Sequence, residues 1–268
     1  MNSRLFTEIA THHALARLID NLNKPRFWKN LILFLNEVIP FDNALALQVV
    51  ADGTPHVFAE YCPAGAGSPS PVPFYLNGLY LLDPFLQSAH EGLADGLHRL
   101  EEIAPDLFRQ SEYFLTYFRD VVGEDEVQLV VNQTTIKGTV MLSFGARTRF
   151  HPDSIGRLAV CTPWVISLIK QHLTCMNTLS NDNCDNGDLP GRVQQTLAVF
   201  GAELLSDREM EIARLVLRGN SSKAIAERLG ISPETVKVHR RNLYNKLGIS
   251  TQPELFSLFI QALEHEIK

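Results

Sequence analysis

The chain has 268 residues, of which 45% are hydrophobic and 20% are charged, and its formal net charge is −6. This length and composition predict two globular domains, and the net acidity disfavours non-specific binding to nucleic acid over the whole surface. The chain opens without the apolar stretch of a signal peptide, and its apolar runs are too short for a membrane-spanning helix. We therefore expect a cytoplasmic protein with no membrane partner. The four cysteines show no paired spacing, which indicates reduced thiols.

The N-terminal part begins with two predicted amphipathic helices, over residues 3–20 and from Pro25 to Pro40. Two alternating stretches follow, 43–50 and 56–61, and the Asp52-Gly53 turn between them predicts an antiparallel hairpin. Adjacent histidines, His12 and His13, point to different faces of the first helix, so they indicate a surface pair and not a metal site.

A loop rich in proline and glycine follows, from Pro63 to Pro73, and is either a lid over a pocket or a disordered segment. The next segments read as short helices: 74–81, 84–90, 105–110 and 112–121. Strands over 126–131 and 138–145 and a helix over 152–174, with a kink at Pro163, complete this part. The order predicts an α+β sensor domain, an antiparallel sheet with packed helices, of the PAS, GAF or autoinducer-binding kind.

The polar segment 180–191 has almost no side chains to bury and is typical of a linker. We therefore predict a ligand-sensing domain over 1–175, a linker over 176–201 and a DNA-binding domain over 202–268. Within the last domain, capping boxes at Ser206 and Thr251 and stops at Gly219, Gly230 and Gly248 predict an all-α unit of four helices.

The third of these helices carries the residues expected to read DNA. Ser232 can cap it, and Pro233 suits its first position. Its apolar residues Val236, Leu243 and Leu247 share one face, while the opposite face presents Lys237, Val238, Arg241 and Asn245. This order, two short helices followed by a glycine turn and the basic helix, predicts a helix-turn-helix. The basic helix is the second helix of that motif and is expected to enter the major groove.

The distribution of charge agrees with this interpretation. Residues 218–246 carry seven basic and two acidic side chains, whereas residues 1–201 carry fourteen basic and twenty-one acidic ones. A basic stripe on an acidic protein favours DNA contact through that stripe. The side chains that we expect to contact DNA are Ser222, Lys223, Thr235, Lys237, Val238, Arg241, Asn245 and Lys246.

Several short motifs at fixed spacings resemble the DNA-binding domain of the LuxR/NarL-type transcriptional regulators, over about sixty residues. They are Leu205-Ser-Asp-Arg-Glu209, Ala224-Ile-Ala226, Leu229-Gly-Ile-Ser232, Thr235-Val-Lys-Val-His239 and Lys246-Leu247. The resemblance implies a transcriptional regulator with double-stranded DNA as its partner. We also expect a homodimer, with RNA polymerase as a further partner.

A second, partial resemblance lies in the sensor domain. Tyr75, Tyr80 and the Asp83-Pro84 pair are similar to elements of the LuxR-type autoinducer-binding domain. The resemblance implies that the aspartate accepts a hydrogen bond from a ligand amide and that the aromatic residues line the pocket. The tryptophans of that family are absent, with Ser70 and His98 near their places, so the effector is left unidentified. Asp83 can equally serve as a simple helix cap. The expected ligand-binding residues are Tyr75, Tyr80, Asp83 and Tyr113.

Other functions have less support from the sequence. A receiver domain requires alternating βα units, which the two opening helices and the hairpins do not provide. An enzyme with a DNA-binding tail would need a site built from Ser143, His151, Asp153 and the carboxylates of 124–126, but no catalytic or cofactor motif accompanies them. We therefore expect no catalysis, no cofactor and no metal. A sensor domain that only dimerises, without a ligand, is the remaining alternative.

Overall fold

The structure is a computed structural model that describes residues 8–50, 55–62, 70–133, 138–179 and 204–265. Its N-terminal part is built on a five-stranded antiparallel sheet with the strand order β2-β1-β5-β4-β3. The strands are β1 (Asn43–Val50), β2 (His56–Tyr61), β3 (Gly96–Arg99), β4 (Asp125–Gln133) and β5 (Gly138–Ala146). This part therefore has the predicted α+β fold, with β1 and β2 paired as the expected hairpin.

Helices cover both faces of the sheet. In the N-terminal part they are α1 (Ile9–Asp20), α2 (Phe27–Val38), α3 (Val72–Leu76), α4 (Pro84–His90), α5 (Leu100–Ile103), α6 (Arg119–Val121) and α7 (Pro152–Leu179). Helices α1, α2 and α7 pack on one face, against alternating residues of β4 such as Val127, Leu129 and Val131. Because side chains alternate along a strand, Glu126 and Gln128 lie on the opposite face. That second face is covered by the segment from α3 to α6.

The segment over the second face is less regular than the sequence predicts. The helix expected over 74–81 is divided into α3 and a 3-10 turn (Leu79–Leu82), because Gly78 between them has a positive φ of 104°. The helix expected over 105–110 is reduced to a 3-10 turn (Phe108–Gln110), and a π-helical turn (Phe114–Phe118) interrupts the next. The short edge strand β3 was not predicted, because four residues are too few to show alternation.

The C-terminal part is the predicted all-α unit, with α8 (Asp207–Leu217), α9 (Ser222–Leu229), α10 (Pro233–Leu247) and α11 (Gln252–His265). The predicted capping box begins α8: Glu209 donates its amide to the Ser206 hydroxyl, and its carboxylate accepts from the Ser206 amide at 2.8 Å. Gly230 and Gly248 end α9 and α10 with positive φ values of 63° and 68°.

Some predicted features lie outside the described residues: the Asp52-Gly53 turn, most of the 63–73 loop and the 180–191 segment. Helix α7 continues through Pro163 to Leu179, past the boundary predicted at residue 175, so the domain limits stay a prediction. Within the described ranges, none of the helices is both long and apolar enough to cross a membrane.

Candidate nucleic-acid interface and ligand cavity

Helix α10 is anchored so that one face is buried and the other is open. The Ser232 hydroxyl accepts the amide of Thr235 at 3.0 Å, and Pro233 occupies the first turn, where no amide hydrogen is needed. Val236 and Leu243 are fully buried against the other helices of the unit. Packing of these two residues fixes the rotation of α10 about its axis, and the rotation determines which side chains face outward.

The outward face of α10 consists of the four side chains expected there: Lys237, Val238, Arg241 and Asn245 are all exposed. Val238 is the one aliphatic side chain of the four, and it is 46% exposed. Lys237 has only a long contact of 3.5 Å between its Nζ and Glu234 Oε1. These side chains are therefore free to meet a groove of DNA.

A groove between the start of α9 and α10 adds a residue that the sequence analysis missed. Arg240 donates from Nη1 to the Ser222 hydroxyl and from Nη2 to the Tyr244 hydroxyl, both at 3.2 Å. The groove is lined by Ser222, Lys237, Arg240, Arg241, Tyr244, Asn245, Ile249 and Ser250. A guanidinium beside the N-terminus of a helix is a favourable place for a phosphate. The sequence feature that could have identified Arg240 was its position one helical turn before Tyr244.

The remaining predicted DNA contacts differ in their surroundings. Lys223 and Thr235 are exposed near the N-termini of α9 and α10. Lys246 is exposed too, but its Nζ lies 2.7 Å from Oε2 of Glu209, the capping carboxylate of α8. The Lys246 hydrogen bond is the main reason that the pKa of Glu209 falls to about 2. Lys246 thus ties α10 to α8, and its contact with phosphate stays a prediction.

Part of the basic stripe faces the sensor domain and not the DNA-reading side. Arg228, at the end of α9, forms an ion pair with Glu91, which follows α4. The Ser221 amide, at the start of α9, donates to Asp106 Oδ1 at 3.1 Å. Helix α9 is therefore held against the sensor domain at both ends, each by one acidic side chain.

In the sensor domain, a cavity of about 50 Å³ lies between the sheet and the segment from α3 to α6. The Tyr75 hydroxyl donates to Asp83 Oδ2 at 2.8 Å, and Asp83 Oδ1 accepts the Phe85 amide at 2.9 Å. Asp83 therefore caps α4 and also presents a carboxylate oxygen toward the tyrosine, so both interpretations of this residue are compatible with its geometry. Burial raises its pKa.

Three of the four predicted ligand residues, Tyr75, Asp83 and Tyr113, line this cavity. Tyr117 stacks between Tyr75 and Tyr113, with ring centroids 5.7 Å from each. The fourth residue, Tyr80, is buried beside Tyr75 at 6.3 Å between centroids but is not among the lining residues. The four predicted residues therefore lie close together, with Tyr80 packed beside Tyr75 outside the cavity lining.

The sheet contributes polar residues to the cavity that the sequence analysis did not assign to it. Glu126 and Gln128 of β4 and Ser143 of β5 are buried, and all three line the cavity. Ser143 Oγ and Gln128 Nε2 both donate to Glu126 Oε1, the latter at 2.8 Å. Burial, and secondly the charge of Asp83, raise the pKa of Glu126 to about 8. The alternation of polar and apolar residues in β4 was the signal, but alone it indicates a solvent-facing strand.

The residues considered for an enzyme site are only partly brought together. Ser143 is buried against Glu126, whereas His151 and Asp153 pair with each other at 3.7 Å at the exposed start of α7. Over the part of the chain that the structure describes, no group of three or more histidine, cysteine, aspartate or glutamate side chains is suited to hold a metal.

Comparisons with known proteins agree with this geometry. The family described as bacterial regulatory proteins, luxR family, matches residues 203–259. An HTH-type transcriptional regulator from the exeN 3' region of Aeromonas salmonicida is 33% identical over 187 residues, which are 68% of this chain and 94% of that protein. The transcriptional regulatory protein MctR of Rhizobium johnstonii is 45% identical over 152 residues, 54% of this chain and 67% of its own.

The sensor domain also has a solved structural relative. The VqsR LBD domain from Pseudomonas aeruginosa has 33% sequence identity and a TM-score of 0.57, covering 63% of this chain and 99% of that one. Of the three sensor topologies that the sequence left open, the fold is the autoinducer-binding-like one. With this sensor and its C-terminal helix-turn-helix, the chain belongs to the LuxR family of bacterial transcriptional regulators.

Proposed function

We propose that the protein binds specific sites on double-stranded DNA through α10 and that a small molecule in the sensor cavity controls this binding. The observation that carries the DNA-binding part is the outward face of α10, where Lys237, Val238, Arg241 and Asn245 are exposed on a helix whose opposite face is buried. Long polar side chains on such a face can reach base edges in the major groove.

The same surface divides the contacts into two kinds. Arg241, Lys237 and Asn245 point away from the packed helices and are the proposed base readers. Ser222, Lys223, Thr235 and Lys246 lie at the edges of this surface, so we assign them to the phosphates. Phosphate contacts position the protein, whereas base contacts supply specificity. We assign Arg240 to the phosphate contacts as well, because its guanidinium is hydrogen-bonded to Ser222.

The proposed assembly is a homodimer on DNA, because one unit of this size contacts too few bases for specific binding. A dimer with two-fold symmetry binds a near-palindromic operator, whose half-sites lie roughly 10 bp apart or a multiple of that distance.

Since the DNA of a bacterium lies in the cytoplasm, we place the protein there, with RNA polymerase as a further partner. We retain the domain limits 1–175 and 202–268 and the 176–201 linker.

Ligand control is supported by contacts that join the cavity to the DNA-binding domain. Tyr113 lines the cavity, and its ring lies 6.2 Å from that of Phe108. The neighbouring residue, Leu107, donates its amide to the carbonyl of Gly219, in the turn between α8 and α9. One short segment of the sensor domain thus contacts both the cavity and the helix-turn-helix, which supports the proposed coupling of the two sites.

The experiment is a selection of binding sites from a random DNA library, followed by footprinting and titration with purified full-length protein. The proposal expects a near-palindromic site protected over two half-sites. Protection of one asymmetric half-site at saturating protein would contradict the dimer. Enrichment of no sequence would contradict specific binding altogether.

A further inference from the structure

The sheet side of the cavity carries more hydrogen-bond acceptors than donors. Glu126 and Gln128 are 4% and 3% exposed, and Gln128 and Ser143 are direct partners in the β4–β5 register. The Ser143 hydroxyl and the Gln128 amide nitrogen both donate to the same oxygen of Glu126. One donor from each of these two side chains is therefore directed at a single acceptor atom.

One acceptor in this cluster has no partner. Gln128 Oε1 is buried and accepts no hydrogen bond from any residue that the structure describes. A buried acceptor without a donor costs free energy, so this atom indicates that a donor belongs there when the cavity is filled. Glu126 and Asp83 add carboxyl groups to the lining, and no lysine or arginine is present among the described residues that form it.

The other wall of the cavity is aromatic. Tyr75, Tyr117 and Tyr113 follow one another with centroid separations of 5.7 Å. The faces of such rings attract cations, and the attraction is stronger where water is excluded. A volume of about 50 Å³ admits only a compact molecule, since each water-sized sphere takes roughly 10–15 Å³ of such volume.

We propose that the cavity binds a compact organic cation with N–H donors, of the primary alkylamine class, whose ammonium group donates to Glu126 and Gln128 Oε1 while its alkyl chain lies along the tyrosine wall. This inference rests on the proposed ligand control and names the chemistry of the ligand. A carboxylate ligand would place its negative charge beside the carboxyl groups of Glu126 and Asp83, which is unfavourable.

Protonation supports this choice of ligand. The pKa of Glu126 is raised to about 8 by burial, so the unliganded side chain holds a proton near neutral pH. An arriving ammonium group favours the carboxylate, and the proton is released to solvent. The charges of Asp83 and Asp125 also raise this pKa, whereas the hydrogen bonds from Ser143 and Gln128 lower it. The pKa values of the Tyr75, Tyr113 and Tyr117 hydroxyls are raised above their ordinary value, so these groups carry no charge near neutral pH. Amine affinity should therefore increase as the pH rises toward 8.

The test uses full-length protein and matched compact probes, namely n-propylamine and n-butylamine, the alcohols of the same length, and propionate and butyrate. Isothermal titration in two buffers of different ionisation enthalpy measures affinity and the protons released. We expect the amines to bind at least about tenfold more tightly than the alcohols, with net proton release at pH 7. Glu126→Gln should remove this preference, and Gln128→Met should weaken amine binding without changing charge.

Glu124→Gln is the matched control, because Glu124 lies two residues away but pairs with Arg109 outside the cavity. Amines that bind no more tightly than alcohols or carboxylates would overturn the inference, as would amine binding unchanged in both the Glu126→Gln and Gln128→Met proteins. An alcohol or carboxylate that binds more tightly than the amines and shifts DNA affinity would contradict the assignment of the ligand as a cation, but not the proposed ligand control. Amine binding with no effect on DNA affinity would overturn ligand control alone.

Discussion

The backbone amide of Leu107 donates a 3.1 Å hydrogen bond to the carbonyl oxygen of Gly219, and this bond joins the sensor domain to the helix-turn-helix. Gly219 is required at this contact, because its φ is +83° and a Cβ there would lie 3.0 Å from Ser111 Cβ. The contact is accompanied by the Asp106–Ser221 hydrogen bond and the Glu91–Arg228 ion pair. The two domains are therefore physically connected in this state.

The first prediction concerns this connection. Changing Glu91→Gln and Asp106→Asn together removes one exposed ion pair and one hydrogen bond to a charged group, which contribute roughly 1–3 kcal/mol in sum. The amides of Leu107 and Ser221, which donate across the contact, should then exchange with solvent on the order of 5- to 100-fold faster. Glu101→Gln, which removes an exposed ion pair with Arg99 inside the sensor domain, is the control. Equal exchange in all three proteins would show that the contact does not hold the domains together.

The second prediction concerns pH. Because the pKa of Glu126 is about 8 in the folded protein and near 4.5 when unperturbed, the folded state holds a proton that the unfolded state loses between these values. Stability is therefore lost as pH rises from about 4.5 to 8, by an amount on the order of a few kcal/mol. Glu126→Gln has no such loss, so its free energy of unfolding relative to wild type should increase over this window and level off above it.

A second buried group titrates in the opposite sense but cancels in this comparison. Burial lowers the pKa of His172 to about 4, so its contribution is present above pH 6.5 and lost as the pH falls toward 4. Wild type and the Glu126→Gln protein share it. Urea unfolding of both proteins at pH 5, 6, 7 and 8 provides the measurement. A constant difference would mean that Glu126 is ionised in the folded protein.

The third prediction separates the two roles of Asp83. Asp83→Ser keeps a side-chain oxygen for the Phe85 amide but removes the carboxylate, whereas Asp83→Ala removes both. We expect the alanine variant to be less stable than the serine variant by about 1 kcal/mol, and both to lose ligand response with unchanged DNA affinity of the unliganded protein. Melting temperature and ligand titration on both variants distinguish the roles. Full ligand response in the serine variant would leave Asp83 as a cap only.

The fourth prediction is that Val238 contacts the methyl group of a thymine. It is the one apolar side chain of the outward face, and in the major groove the C5-methyl group is its natural partner. Replacing the operator thymines by uracil, one site at a time, should weaken wild-type binding at one position per half-site. The DNA affinity of the Val238→Ala protein should not change when uracil replaces thymine at that position. Binding unchanged by uracil throughout the half-site would mean that Val238 makes no base contact.

The DNA-binding unit could be predicted from the sequence almost completely, because its determinants are local. Caps, glycine stops and 3.6-residue periodicity set the ends and the buried face of α10, and the structure confirms Ser232, Gly248, Val236 and Leu243 in these roles. The pairing of Lys246 with Glu209 was not predicted, because the two residues are 37 positions apart and meet only after α8 and α10 pack.

The sensor site was predicted only in part for the same physical reason. Tyr75 and Asp83 are eight residues apart and belong to one local motif, whereas Glu126 and Ser143 come from two later strands. In β4, polar residues at alternate positions are typical of a strand with one side in water. Among the elements that the structure describes, the helices from α3 to α6 bury that side, and hydrophobic periodicity does not predict their irregular geometry.

Reading of a specific DNA sequence by α10 is tested by a ratio of two dissociation constants. The constants are measured for the selected operator and for a shuffled duplex of equal length at physiological salt. We predict a preference of at least about 10³ for wild type. Lys237→Ala and Arg241→Ala should each reduce this preference by a factor that corresponds to roughly 1–3 kcal/mol. Lys223→Ala should weaken binding to both duplexes equally. Equal affinity of wild type for the two duplexes, or preference unchanged in the Lys237 and Arg241 variants, would contradict the account.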